Sequence, residues 1–292
     1  ALITDRDRDG DGDVFVITNA HARASAFFRR DAGDDALIND VDDVSADLRV
    51  AGMGVDSADL NGDGALDYCV TDVGPPRCLL SGEEGYVDVR AGLGLAPAEP
   101  AGVGIETIGW AFDLADLDND GEVDAVQASG PDLNFEERGF LDFPDLVWQG
   151  QAGGSFVDRT AEVGFGDVRA HYGLATADFD GDGWLDVVTA GPGHRPQLWM
   201  NRCGEAAWLD VALVGPPGNP EGVGARVEVT GGGRTQAREL YLGRATGQSA
   251  ARLHFGLGDV AVLDRITVRW PDGVEQVVED VETSRRITAR RP

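Results

Sequence analysis

At 292 residues the chain exceeds the usual size of one domain, and 52 aspartates and glutamates against 24 lysines and arginines give it a net charge of -28. That sign disfavours nucleic acid and anionic membrane surfaces as partners. A hydrophobic content of 42% excludes a disordered acidic chain, and no window holds the roughly eighteen consecutive apolar residues of a membrane span.

The N-terminus lacks a basic-then-apolar signal pattern, so the chain reads as a mature or trimmed product. An aspartate-rich motif then recurs four times, at Asp5–Asp13, Asp59–Asp67, Asp116–Asp124 and Asp178–Asp186. The starts lie 54, 57 and 62 residues apart. Each motif leads into a β-rich apolar stretch: Val14–Thr18, Tyr68–Thr71, Ala125–Gln127 and Val187–Thr189. Later strands of the unit are Tyr86–Val89, Asp145–Trp148, Phe156–Arg159 and Gln197–Asn201, and Tyr172–Ala177 precedes the fourth motif. About four short strands per repeat, with Gly and Pro turns and almost no helical periodicity, is the pattern of a β-propeller blade.

Residues 205–221 contain Gly215-Pro-Pro-Gly-Asn-Pro220 and read as a linker. Beyond it, alternating strands at Ala225–Thr230, Ala237–Leu242, Arg252–Phe255, Ile266–Trp270, Glu275–Val278 and Arg286–Ala289 imply a small antiparallel β-sandwich or barrel over 222–292. The division is therefore 1–204 as blades, 205–221 as linker and 222–292 as a second all-β domain.

The motifs have the chemistry of calcium loops. Positions 1, 3, 5 and 9 supply oxygen side chains: Asp5, Asp7, Asp9 and Asp13; Asp59, Asn61, Asp63 and Asp67; Asp116, Asp118, Asp120 and Asp124; Asp178, Asp180, Asp182 and Asp186. Calcium takes six to eight oxygens, and a backbone carbonyl at position 7 (Asp11, Ala65, Glu122, Trp184) completes the set by analogy with other such loops. Glycine at position 6 lets each chain turn sharply. An EF-hand would need glutamate at position 12, where Val16, Val70, Gln127 and Thr189 stand instead. Magnesium is disfavoured by its octahedral demand and retained waters, zinc and copper by the absence of His or Cys at these positions. About four bound Ca2+ would bring the net charge to about -20 and relieve self-repulsion.

Cys69 and Cys78 flank Gly74-Pro-Pro76, which reads as a hairpin turn; they form either a disulfide of an oxidising compartment or two small buried hydrophobes, and Cys203 has no obvious partner.

The units resemble FG-GAP/VCBS repeats over about residues 1–204, and Gly222–Val227, His254-Phe-Gly-Leu-Gly258 and Val268–Gly273 resemble, in order, the ASPIC/UnbV domain. The combination is similar to the cartilage acidic protein 1 family and its bacterial relatives. The resemblance implies a propeller, commonly seven-bladed, with calcium in its blade loops, secretion, and adhesive or extracellular interaction roles. Only four loops are visible, so either a fragment, an incomplete ring with an exposed strand edge, or a completing partner is expected.

No catalytic constellation stands out. His21, His171, His194 and His254 are scattered; no nucleophile elbow or phosphate loop occurs. Trp110, Phe112, Trp148, Trp184 and Trp199 could form a sugar-stacking surface, although blade aromatics are usually core. The reading is a non-enzymatic, secreted or cell-surface calcium-binding adhesion module contacting an extracellular protein or glycan. The alternative is a calcium-stabilised polysaccharide-acting or tailoring enzyme that uses the propeller channel.

Overall fold

A computed structural model describes residues 1–20, 23–30, 36–89, 92–96, 108–131, 144–166, 169–193, 195–201, 204–241, 243–244 and 246–292. His21, His194 and Cys203 lie outside the described residues, as does Leu242 at the end of one expected strand. Every regular element among the described residues is a strand, and none is a helix long and apolar enough to cross a membrane.

The first two thirds form four successive antiparallel meanders, each starting one strand before an aspartate motif. Strands β1 (Leu2–Thr4), β2 (Asp13–Val16), β3 (Ala26–Arg30) and β4 (Leu37–Asn39) make the first sheet; β5 (Val55–Ala58), β6 (Asp67–Asp72), β7 (Gly74–Gly82) and β8 (Gly85–Val89) make the second. The third holds β9 (Gly109–Ala115), β10 (Asp124–Ser129), β11 (Leu146–Gln151) and β12 (Ser155–Asp158), and the fourth β13 (Gly173–Ala177), β14 (Asp186–Ala190) and β15 (Gln197–Trp199). In every sheet the motif is the connection between the first two strands.

Apolar residues on both faces of these strands are buried because neighbouring sheets stack face to face. Leu2, Phe15 and Phe27 share a core with Val55, Tyr68, Leu79 and Tyr86; Cys69 and Cys78 share one with Phe112, Trp148 and Phe156; Ala111, Val126 and Val147 share one with Leu174 and Val187. β9 packs beside both β5 and β13, which brings the first strands of three sheets together. All-β sheets in this arrangement, without helices, fit a β-propeller-like fold.

Cys69 and Cys78 are directly opposite in the β6–β7 register and form a disulfide with Cα atoms 4.1 Å apart. The turn is tighter than Gly74-Pro-Pro76 suggested: Asp72 pairs with Gly74, whose φ is +100°, and Pro75 and Pro76 lie inside β7.

The C-terminal part has two sheets around one core. β16 (Ala207–Val214) lies in the stretch read as a linker, which therefore supplies a strand. β17 (Arg226–Gly231), β18 (Arg234–Glu239), β19 (Leu253–Gly258), β20 (Val262–Arg269), β21 (Glu275–Glu282) and β22 (Arg285–Arg290) follow. One sheet runs β19-β16-β22 and the other β18-β17-β20-β21. Leu209 and Val211 of β16 and Phe255 of β19 meet Val227, Val229, Ile266 and Val268 of the second sheet. The expected all-antiparallel arrangement fails at one pair: β16 and β22 run parallel, from Leu209 opposite Arg285 to Val214 opposite Arg290. Alternation within a strand reports which face is buried, not its neighbour's direction, so the sequence pattern could not have shown this.

Candidate metal centres and the interface that covers them

The four aspartate loops repeat one hydrogen-bond plan. At position 1, Oδ2 of Asp5, Asp59, Asp116 and Asp178 accepts the amide of the position-6 glycine at 3.1, 2.9, 2.9 and 2.9 Å. At position 5, Oδ1 of Asp9, Asp63, Asp120 and Asp182 accepts the amide of position 7. These bonds bend the chain through a left-handed position 4, at Arg8, Gly62, Asn119 and Gly181, and a left-handed glycine at position 6.

Position 9 does something different from the rest. Asp13, Asp67, Asp124 and Asp186 are buried at 0, 0, 3 and 0% exposure. Each Oδ2 takes the amide of loop position 2 (Arg6, Leu60, Leu117, Phe179), and each Oδ1 takes an amide on or just beyond the third strand (Arg30, Ser81, Gly150, Asn201). The ninth carboxylate thus staples the loop to its sheet whatever else it binds.

Carboxylate oxygens converge within 4.8 Å of one another in Asp5, Asp7 and Asp9, in Asp116, Asp118 and Asp124, and in Asp178, Asp180 and Asp186, so these groups could hold a metal ion. In the second loop Asn61 stands at position 3, and Asp63 and Asp67 share the Ser81 hydroxyl at 3.0 and 2.8 Å. Positions 7 are included for their carbonyls; Glu122 spends its side chain on Arg234, and the Trp184 indole is core. Burial, reinforced by neighbouring loop carboxylates, pushes Asp116 up to about 7, and Asp124 is raised well above the carboxylate range for the same reasons. Burial likewise raises Asp13 and Asp67 to about 6, and Asp5, Asp7, Asp59, Asp120 and Asp186 move in the same direction. Oδ1 of both Asp5 and Asp116 is buried with no partner among the described residues. An unpartnered buried carboxylate oxygen amid other carboxylates is unfavourable without a cation, so the residue set fits a hard divalent ion.

A second cluster lies where β5, β9 and β13 meet the segment after β18. Arg244 donates to Asp56 of β5 and to Asp113 of β9. The Tyr241 hydroxyl also donates to Asp56, and Ser249 and Thr176 donate to Asp113 at 2.7 and 2.8 Å. Burial would raise both carboxyls; around Asp113 the Arg244 guanidinium and the hydroxyl donors outweigh it and hold that group low, whereas Asp56 stays raised. Each aspartate lies three residues before its motif, a repeat of register that a search limited to the loops overlooks.

Residues 215–292 match the family model described as ASPIC and UnbV, and residues 172–197 match that of the FG-GAP repeat. The chain carries an ASPIC/UnbV domain and an FG-GAP repeat. Cartilage acidic protein 1 of Mus musculus is 30% identical over 197 residues, covering 63% of this chain, and that of Homo sapiens is 28% identical over the same length. The Xenopus tropicalis protein of that name is 40% identical over 73 residues, covering 24% of this chain and 11% of the relative. The chain spans 28% of the length of the mouse and human relatives.

The ASPIC/UnbV domain and its leading strand β16 touch all four loops. Glu239 accepts the Asp5 amide at 2.9 Å, and Arg226 donates to the Gly64 carbonyl at 2.5 Å. Arg234 grips Glu122 through two bonds of 2.7 and 2.9 Å, and His254 Nε2 meets Asn119 Oδ1 at 2.7 Å. Arg286 reaches Asp178 at 2.6 Å, and Gly183 faces Trp208 so closely that a Cβ there would overlap the indole. The position-6 glycines are thus needed for more than turning: Gly10 and Gly121 also abut this part, at Pro271 and Arg234.

Of the remaining sequence candidates, Phe112, Trp148 and Trp184 are buried, and Trp110 and Trp199 are partly covered, packing on Tyr172 and Phe165. His171 is fully buried with Nδ1 2.6 Å from Asp145.

Proposed function

We propose that the chain is an extracellular calcium-binding interaction module. Its FG-GAP/VCBS blades of a β-propeller hold a structural Ca2+ in each of four loops, and the ASPIC/UnbV domain locks onto the loop-bearing side. The observation that carries this is the buried, unpartnered Oδ1 of Asp116 inside a three-carboxylate cluster, set in a loop plan that recurs four times. Calcium suits it because the donors are all hard oxygens on a bent backbone that adapts to six or more ligands.

The ligands of this reading are the position 1, 3 and 5 side chains and the position-7 carbonyl, with the ninth aspartate both ligand and staple. The repeat unit runs over 1–204, and the second domain, a small sandwich, takes β16 with it. Secretion or cell-surface display fits the Cys69–Cys78 disulfide, a bond that persists in oxidising compartments, and the similarity to cartilage acidic protein 1. The partner is an extracellular protein or glycan. Binding energy spent on the loops becomes folding energy, because each ion joins the first two strands of a sheet.

The test is the melting temperature of the full chain after chelation, then with calcium or magnesium restored. Calcium should raise it by well over the few degrees that correspond to about 1 kcal/mol, and magnesium should raise it less. Equal melting in chelator and in millimolar calcium overturns the proposal.

A further inference from the structure

The ASPIC/UnbV domain meets the loops with charges that differ from loop to loop. At the fourth loop, Arg286 Nη2 lies 2.6 Å from Oδ2 of Asp178, the position-1 carboxylate, and its Nε is 3.8 Å from Asp210. Asp178 already serves two loop amides: Oδ1 accepts from Gly181 at 2.6 Å and Oδ2 from Gly183 at 2.9 Å. At the second loop the charge is Arg226, which donates to the Gly64 carbonyl; at the third it is Arg234 on Glu122, with Arg238 of β18 behind it, lying over the Phe255 ring with a buried Nη2 without a partner among the described residues. Arg238 lines one cavity with Asp116, the position-1 residue of the third loop. The first loop is different. There the domain presents the Glu239 carboxylate to the Asp5 amide and the Pro271 carbonyl to Gly10, Arg226 and Arg269 line the same cavity, and Asp5 Oδ1 stays unpartnered.

A guanidinium bonded to a ligand carboxylate opposes a divalent ion in two ways: it occupies a lone pair the ion would use, and it repels the ion's charge. A cation held near such a carboxylate without bonding it opposes through the second effect alone.

We propose that the ASPIC/UnbV domain is an internal competitor for the metal, with Arg286 at the fourth loop and Arg238 beside the third acting as resident counter-cations that weaken calcium binding there. This rests on the calcium reading. Because coupling between two binding events is reciprocal, calcium entering the fourth loop weakens the hold of Arg286 on Asp178 and so loosens the domain at that corner. Arg286 can yield: its side chain is 45% exposed and has solvent to turn into.

The experiment is a calorimetric calcium titration of the chelator-stripped full chain in four forms: the natural sequence, Arg286→Met, Arg238→Met, and Arg265→Met as a control whose guanidinium pairs with Glu279 on β21. A single charge acting on a divalent ion at about 5 Å through solvent corresponds to roughly a tenfold change in affinity. Arg286→Met should therefore tighten one site by about tenfold and leave the others and the control unchanged. Arg238→Met should tighten one other site, the third loop; if its loss of buried packing unfolds the chain, the partly exposed Arg286 still decides the matter. Calcium binding in the natural chain with every site unchanged or weakened in Arg286→Met overturns the competitor role and leaves the calcium reading intact. No calcium uptake by the natural chain overturns both.

Discussion

Arg244 Nη1 donates at 2.5 Å to the carboxylate of Asp56, a residue 188 positions earlier in the chain. It also donates to Asp113, so one guanidinium closes two sheets against the C-terminal domain. Removing Arg244 takes the counter-cation from two buried carboxyls, at a cost of about 3–5 kcal/mol. Arg244→Ala should lower the urea midpoint accordingly, and adding Asp56→Asn and Asp113→Asn should recover most of the loss. Unchanged stability in the single variant would mean that the contact holds nothing together.

Two glycines separate strain from collision. Gly62 has φ +77° and open space around it, so Gly62→Ala should cost only the left-handed backbone term of about 1–2 kcal/mol. Gly183 has φ +92° and faces the Trp208 indole, so Gly183→Ala adds overpacking of about 1–3 kcal/mol. Chemical denaturation should rank Gly183→Ala well below Gly62→Ala, and pairing it with Trp208→Ala should narrow the gap.

His254 should make stability depend on pH. Burial, helped by the Arg238 charge, lowers its pKa to about 4, and Nε2 donates to Asn119 while that side chain's Nδ2 holds the Gly183 carbonyl. The unfolded chain takes up the proton first as pH falls, near 6.5, and the folded chain only near 4. The contribution is therefore fully present above pH 6.5 and lost on descent towards 4. At fixed calcium, His254→Gln should lose less stability than the natural chain across that window; parallel curves would contradict the assignment.

The Cys69–Cys78 bridge closes a loop with a sequence separation of 9, which by chain entropy contributes about 2–3 kcal/mol. Both cysteines are fully buried, so the bridge should resist reductant in the folded state. Cys69→Ala with Cys78→Ala should melt lower by an amount matching that figure, with no new thiol titrated in the unreduced natural protein.

The loops were legible because their tight turns restrict residue type, and four copies in one register make that restriction visible. Strand positions followed from alternation: β17 buries every second residue, as Ala225–Thr230 suggested. Three features were not legible, each for a physical reason. β16 follows directly on the repeats and precedes a proline-rich turn, so its alternation is hidden in a stretch with the composition of a linker. The parallel β16–β22 pairing depends on which strands meet across more than 70 residues, which local pattern does not encode. The Asp56–Arg244–Asp113 cluster joins residues that look like ordinary strand and loop polar positions until the fold brings them together, although the shared offset of three residues from each motif was a signal in plain view.

The central claim is that oxygen-rich turns hold calcium and so order the sheets beneath the ASPIC/UnbV domain. A long-wavelength anomalous difference map from crystals grown in calcium tests it most directly. The expected map has a peak inside each turn starting at Asp5, Asp59, Asp116 and Asp178, within about 2.3–2.6 Å of their carboxylate oxygens. Featureless density in those turns at saturating calcium would contradict it.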